Sequence, residues 1–138
     1  MRKFSSRFKY YSHIIFPIVV LLICHLANNK SHIFEINNEK SSILVSISSS
    51  FIGVLVTVLT IYLAVPKNET KLRQLKESYH EHIYLMNILA GLILLFASIV
   101  SWLFFNNTYM SSITFVAAMS NIIISIYYTF TLIKVMYN

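Results

Sequence analysis

His80, Glu81 and His82 form the densest run of metal-ligating side chains in the chain, and Glu77 stands three residues before His80. Glu-x-x-His is the spacing by which di-iron bundles project ligands from one helix face, but that centre needs a second copy and further carboxylates on facing helices. The chain has one copy, and His80 and His82 point to different faces if helical. They read as interfacial residues, together with His13. Cys24 and His25 are neighbours and so lie on different sides of a helix, a weak ligand set for zinc. A single cysteine also excludes an intrachain disulfide and thiol-pair redox chemistry. No Ser/His/Asp set, phosphate loop or zinc signature is present. The reading is of a protein that is not an enzyme and carries neither cofactor nor metal.

The remaining polar chemistry is neutral and striped. In a helix, positions spaced alternately by four and three residues share a face. One such series is Ser46, Ser50, Gly53, Thr57, Thr60 and Ala64; a second is Asn87, Gly91, Leu94, Ser98 and Ser101; a third is Thr114, Ala118, Asn121, Ser125 and Tyr128. Small residues let membrane helices approach closely, and hydroxyl and amide groups join them across the gap. The competing reading gives the Ser46 to Thr60 stripe to a water-filled path between several copies, or to a small-ligand cavity. With span midpoints near Val54, Leu94 and Ile124 and about 1.5 Å rise per residue, two hydrogen-bonded layers are expected. Ser50, Ser98 and Asn121 make one; Asn87, Thr60 or Ile61, and Thr131 make the other. Ser125 joins the interhelical set.

The elements that must carry these stripes follow from composition. Of 138 residues, 57% are apolar and only 12% charged, against roughly 45–50% and about 25% in soluble proteins. Sixteen charged side chains cannot cover a water-soluble domain of this size without leaving large apolar patches. The surplus faces lipid. The expected fold is all-α: one integral membrane four-helix bundle over 1–138, with spans at about 11–28, 42–65, 83–105 and 113–135. The first span resembles a signal peptide, but cleavage after Ala27 would put His25 where a small residue is wanted, so it is read as retained. Short connectors make the third and fourth spans an antiparallel hairpin.

The charges sit outside these spans. Residues 67–82 hold seven of the sixteen. Arg2, Lys3, Arg7 and Lys9 precede the first span, while Lys67, Lys71, Arg73 and Lys76 lie between the second and third. Basic residues are retained on the cytoplasmic side, which puts both termini and the second connector inside. After Asn68 as N-cap, Leu72, Leu75, Tyr79, His82 and Met86 recur at helical spacing, so the connector 67–82 reads as an amphipathic extension of the third span. It rests on anionic headgroups, at about 1 kcal/mol per basic residue, or docks a cytosolic protein partner or a neighbouring copy. Arg2, Lys3, Arg7, Lys9, Lys71, Arg73 and Lys76 are the contact candidates for lipid or partner. The net charge of +6 is accounted for by this topology, and no direct nucleic-acid binding is expected. An ion-coupled exporter needs an ionisable group at depth; the uncharged runs 41–65 and 83–133 supply none.

In span number, inside termini, a basic cytoplasmic connector and an Ile/Asn/Lys-rich composition, the chain resembles the small four-span membrane subunits of prokaryotic anti-phage operons, such as that of the Kiwa system. The resemblance implies a homo-oligomeric component of the cell inner membrane that detects or responds to infection alongside a cytosolic partner. Holins and bacteriocin immunity proteins share the same outline. The alternatives are therefore a passive channel or membrane-permeabilising, holin-like protein, then a small-molecule exporter or an immunity protein.

Overall fold

In a computed structural model, which describes residues 10–34, 36–64 and 80–137, the chain forms four α-helices and no strand among those residues. They are α1 (Ser12–Ser31), α2 (Asn38–Ala64), α3 (His80–Phe105) and α4 (Thr108–Tyr137). Each contains a stretch of 19 to 26 residues long and apolar enough to cross a membrane. The basic tail 1–9 and most of the connector, 65–79, lie outside the described residues, and with them Arg2, Lys3, Arg7, Lys9, Lys71, Arg73 and Lys76.

Local sequence fixes the helix ends. His32, in the left-handed conformation at φ 49°, closes α1, and its N–H donates to the Asn28 carbonyl. The Asn28 side chain then accepts from Phe34 N–H at 3.0 Å, which holds the outgoing chain against the last turn. Asn37 caps α2 by accepting from Lys40 N–H at 2.9 Å. Between α3 and α4 only Asn106 and Asn107 are non-helical. Asn106 takes φ 47°, a conformation asparagine tolerates better than most residues, and Asn107 caps α4 by accepting from Met110 N–H at 2.9 Å. The polar turn expected over 106–112 is thus two residues long, because Thr108 to Ser112 already belong to the capped helix.

The α3–α4 hairpin is the spine. α1 packs mainly on α4 and α2 mainly on α3, and the two flanking helices scarcely touch each other. α4 is the most enclosed and α2 the most peripheral: 39% of the α4 apolar window is buried against 11% for α2. Burial is inverted relative to a soluble protein. Among the described residues, besides Pro17 and Gly91, the buried set holds twelve apolar and twelve polar side chains, while Leu26, Leu63, Phe104, Phe105, Tyr127 and Phe130 lie exposed. A surface of that kind is stable only where the surrounding solvent is apolar. Tyr84 and Tyr128 are buried in the core with Leu55, Ile88, Ile122 and Leu132.

The helices are not level with one another. The carbonyl of His13, one residue into α1, lies against Asn121, after which α4 runs on for sixteen residues. Twelve residues further along α1, His25 meets Tyr109, twelve residues back along α4. α1 is therefore antiparallel to α4 and starts beside its middle. At this level Gly91 lets α3 lie close to α4: a Cβ there would meet Asn121 Cβ at 3.6 Å, Ile122 Cγ1 at 3.8 Å and Leu55 Cδ1 at 3.9 Å. A methyl fits, but a longer side chain does not. Gly91→Leu is expected to lower the unfolding temperature of the monomer in detergent, at a cost of about 1–3 kcal/mol from overpacking. Gly53→Leu, where nothing lies within 4 Å, is expected to leave it unchanged. Circular-dichroism melts of the two variants check this.

Candidate functional site

Two sets of polar side chains lie on these helices, and they satisfy their hydrogen bonds in opposite ways. The first is the α2 stripe. Ser46, Ser50, Gly53, Thr57 and Thr60 are all exposed on the outside of the bundle. Ser46 donates to Ser42 O at 3.0 Å, Ser50 to Ser46 O at 3.1 Å, Thr57 to Gly53 O at 2.8 Å and Thr60 to Val56 O at 2.8 Å. Every donor turns back onto its own helix four residues earlier, so no hydroxyl is left without an acceptor on an outward surface. The oxygens keep lone pairs facing outward.

The face of α2 that packs on α3 lies opposite. It carries Ser41, Ser48 and Leu55, all buried, and half-buried Tyr62, seven residues apart. Ser48 is fully buried and donates to Leu44 O at 2.9 Å. Tyr62 ends the seam: its hydroxyl donates to Glu81 Oε1 at 2.8 Å and its ring meets Tyr84 edge-on at 5.1 Å. This inward serine seam is absent from the sequence reading, although its seven-residue repeat was visible.

The second set is a polar node where α1, α3 and α4 meet. Pro17 is inside α1 and has no N–H to give the His13 carbonyl. Asn121 Nδ2 takes that place, donating to His13 O at 3.4 Å. Asn87 Nδ2 donates to Ile83 O at 2.7 Å and reaches Ser12 Oγ at 3.4 Å. Asn87 and Asn121 are both 0% exposed, and Ser12, His13 and Ser125 are also buried. Ser125 donates to Asn121 O at 2.8 Å, within its own helix.

The layers expected from span midpoints are corrected by this arrangement. Ser98 joins neither Ser50 nor Asn121; its hydroxyl donates to Ser111 O at 2.8 Å and lies 3.2 Å from Ser111 Oγ. Thr131 bonds Tyr127 O in its own helix, and Thr60 faces outward. Asn87 and Asn121 do cross to another helix, but that helix is α1, which carried no stripe. The reason is the stagger: midpoints place helices level, whereas α1 is displaced and presents Ser12 and His13 to the middle of the hairpin.

At the other end of α1, His25 Nδ1 and Tyr109 Oη are 2.7 Å apart. Trp102 Nε1, near the end of α3, and Ser41 Oγ, near the start of α2, are buried without a hydrogen-bond partner. Glu81 is engaged by Tyr62, and the His82 ring stacks on Tyr10 at 5.0 Å. Among the described residues no three His, Cys, Asp or Glu side chains converge as metal ligands would.

No protein-family model, curated protein or solved structure matches the chain.

The Pro17 to Asn121 relation is testable by a double-mutant cycle in thermal unfolding. Pro17→Ala restores an N–H to the His13 carbonyl, so Asn121→Ala is expected to cost less in that background than in the wild type. The coupling is expected at about 0.6–1.7 kcal/mol, the range for polar interhelical contacts in membranes. Additive effects would separate the two residues.

Proposed function

We propose that the protein is a non-enzymatic, homo-oligomeric integral membrane subunit that self-associates through the α2 stripe. The observation that carries this reading is the outward position of Ser46, Ser50, Gly53, Thr57 and Thr60, diametrically opposite the seam by which α2 packs on its own bundle. A lipid-facing helix gains nothing from five small or hydroxylated residues in register. A helix that meets another copy gains close backbone approach and a dry contact. Gly53, with open space around it, stands at the middle of that contact.

Both termini and the connector 67–82 are assigned to the cytoplasm by their Lys and Arg content, while the cell inner membrane rests on the architectural resemblance alone. In this reading the connector and the N-terminal tail present Lys71, Arg73, Lys76, Arg2, Lys3, Arg7 and Lys9 to anionic headgroups and to a cytosolic protein partner. A role as sensor or effector in prokaryotic antiviral defence rests on the architectural resemblance alone.

A second reading, a passive channel or holin-like pore, is favoured by one feature of the stripe. All its donors are committed to the α2 backbone, so a path lined by it offers only oxygen lone pairs, which suits cations. Ser50→Leu with Thr57→Leu separates the readings. A packing seam loses its oligomer, measured by native mass spectrometry from detergent, while a channel keeps its oligomer and loses conductance in planar bilayers. Partner docking has its own check: with Lys71, Arg73 and Lys76 reversed to Glu and topology verified by accessibility labelling, recovery of the co-expressed cytosolic partner is expected to drop. Unchanged recovery would sink the docking role.

A further inference from the structure

The polar node has an unfinished hydrogen-bond account. Asn87 Oδ1 and Asn121 Oδ1 are buried with no partner. The two amides cannot resolve this by turning over. Asn87 Nδ2 is held by Ile83 O and Asn121 Nδ2 by His13 O; a flip would set carbonyl against carbonyl and leave an NH2 group unpaired instead. The oxygens are thus committed to face away from their helix-carbonyl partners. The contacts of Nδ2 with Ser12 and with His13, consecutive residues of α1, bring the two amides to the same short stretch of that helix. Asn121 also packs against Gly91, one turn along α3 from Asn87.

Each such orphan costs about 1–3 kcal/mol in a folded protein, and in hydrocarbon there is no bulk water to relieve it. What the node needs is a hydrogen-bond donor. A metal or ammonium cation would bring a charge to membrane depth without a carboxylate to balance it: α1, α3 and α4 have no Asp or Glu between Ser12 and Ser31, between His82 and Phe105, or between Thr108 and Tyr137. Water brings no charge, donates twice and accepts up to twice. One molecule donates to both amide oxygens, or one molecule to each.

We infer that the junction of α1, α3 and α4 is a binding site for internal water that donates to Asn87 Oδ1 and Asn121 Oδ1 within one chain. The α2 stripe plays no part in it, so the inference stands apart from the oligomer reading. The proline places it: Pro17 removes one backbone donor and draws the Asn121 amide to α1, which leaves the amide oxygen to the water.

The test is water-edited solid-state NMR of the full-length, isotope-labelled protein in bilayers. Magnetisation from water is expected to reach the Asn87 and Asn121 side-chain amides several-fold faster than the backbone amides of Ile88 and Ile122, which are buried beside them. Asn121→Leu is expected to slow transfer to Asn87 several-fold. Equally slow transfer at all four wild-type sites would overturn the proposal without reliance on any variant. So would side-chain amide shifts that move when sodium is exchanged for ammonium, since they would assign the oxygens to a cation.

Discussion

A polar group surrounded by hydrocarbon must find its partner inside the protein, and this constraint organises the whole bundle. Its sharpest instance is the carbonyl of His13. Pro17 deprives it of the usual donor four residues on, and Asn121 supplies a substitute from another helix. That bond sets the height of α1 against α4. The height in turn places Ser12 beside Asn87 and His25 beside Tyr109. The stagger of the first helix is thus marked by three contacts along it, at Ser12, His13 and His25.

Neutral side chains answer the same constraint in two ways. A serine or threonine can reach its own helix carbonyl four residues back, which makes it self-sufficient on any face. An asparagine has more polar atoms than that device serves: Asn87 turns back to Ile83 O and also reaches Ser12, and Asn121 crosses to His13 O. The chain uses the first device along α2, where hydroxyls point outward, and the second at the centre of the hairpin, where both asparagines are sealed from the surface. The interior is held together by amides and small residues, and the exterior of α2 is polar without being unsatisfied.

Periodicity and charge made the four helices and their order legible, because an uncharged run of some twenty residues has few alternatives. Faces were harder. The third and fourth stripes lie inward, with Asn87, Ser98, Asn121 and Ser125 buried, but α2 carries hydroxyls on two opposite faces. Composition alone gives no reason to prefer Ser46 and Ser50 over Ser41 and Ser48. What separates them is the company kept: Leu55 and Tyr62 continue the inner seam, whereas Gly53 and Thr60 continue the outer one. The α1 partners belong to no stripe, yet Pro17 marks the His13 carbonyl as needing a donor, and Asn121 is a mid-span donor that reaches it. The turn between α3 and α4 was overestimated because Thr108, Tyr109, Ser111 and Ser112 are polar while still helical: Ser112 donates to Thr108 O, Ser111 meets Ser98 and Tyr109 meets His25.

The central claim is that the outward face of α2 is where copies meet. Single cysteines placed at successive positions from Ser42 to Leu63, in a Cys24→Ser background and in bilayers, measure it most directly through disulfide cross-linking between protomers. The account predicts maxima at Ser46, Ser50, Gly53, Thr57 and Thr60, repeating every three to four residues, with minima at Ser48 and Leu55. Cross-linking that is absent along α2, or uniform around it, would contradict the account.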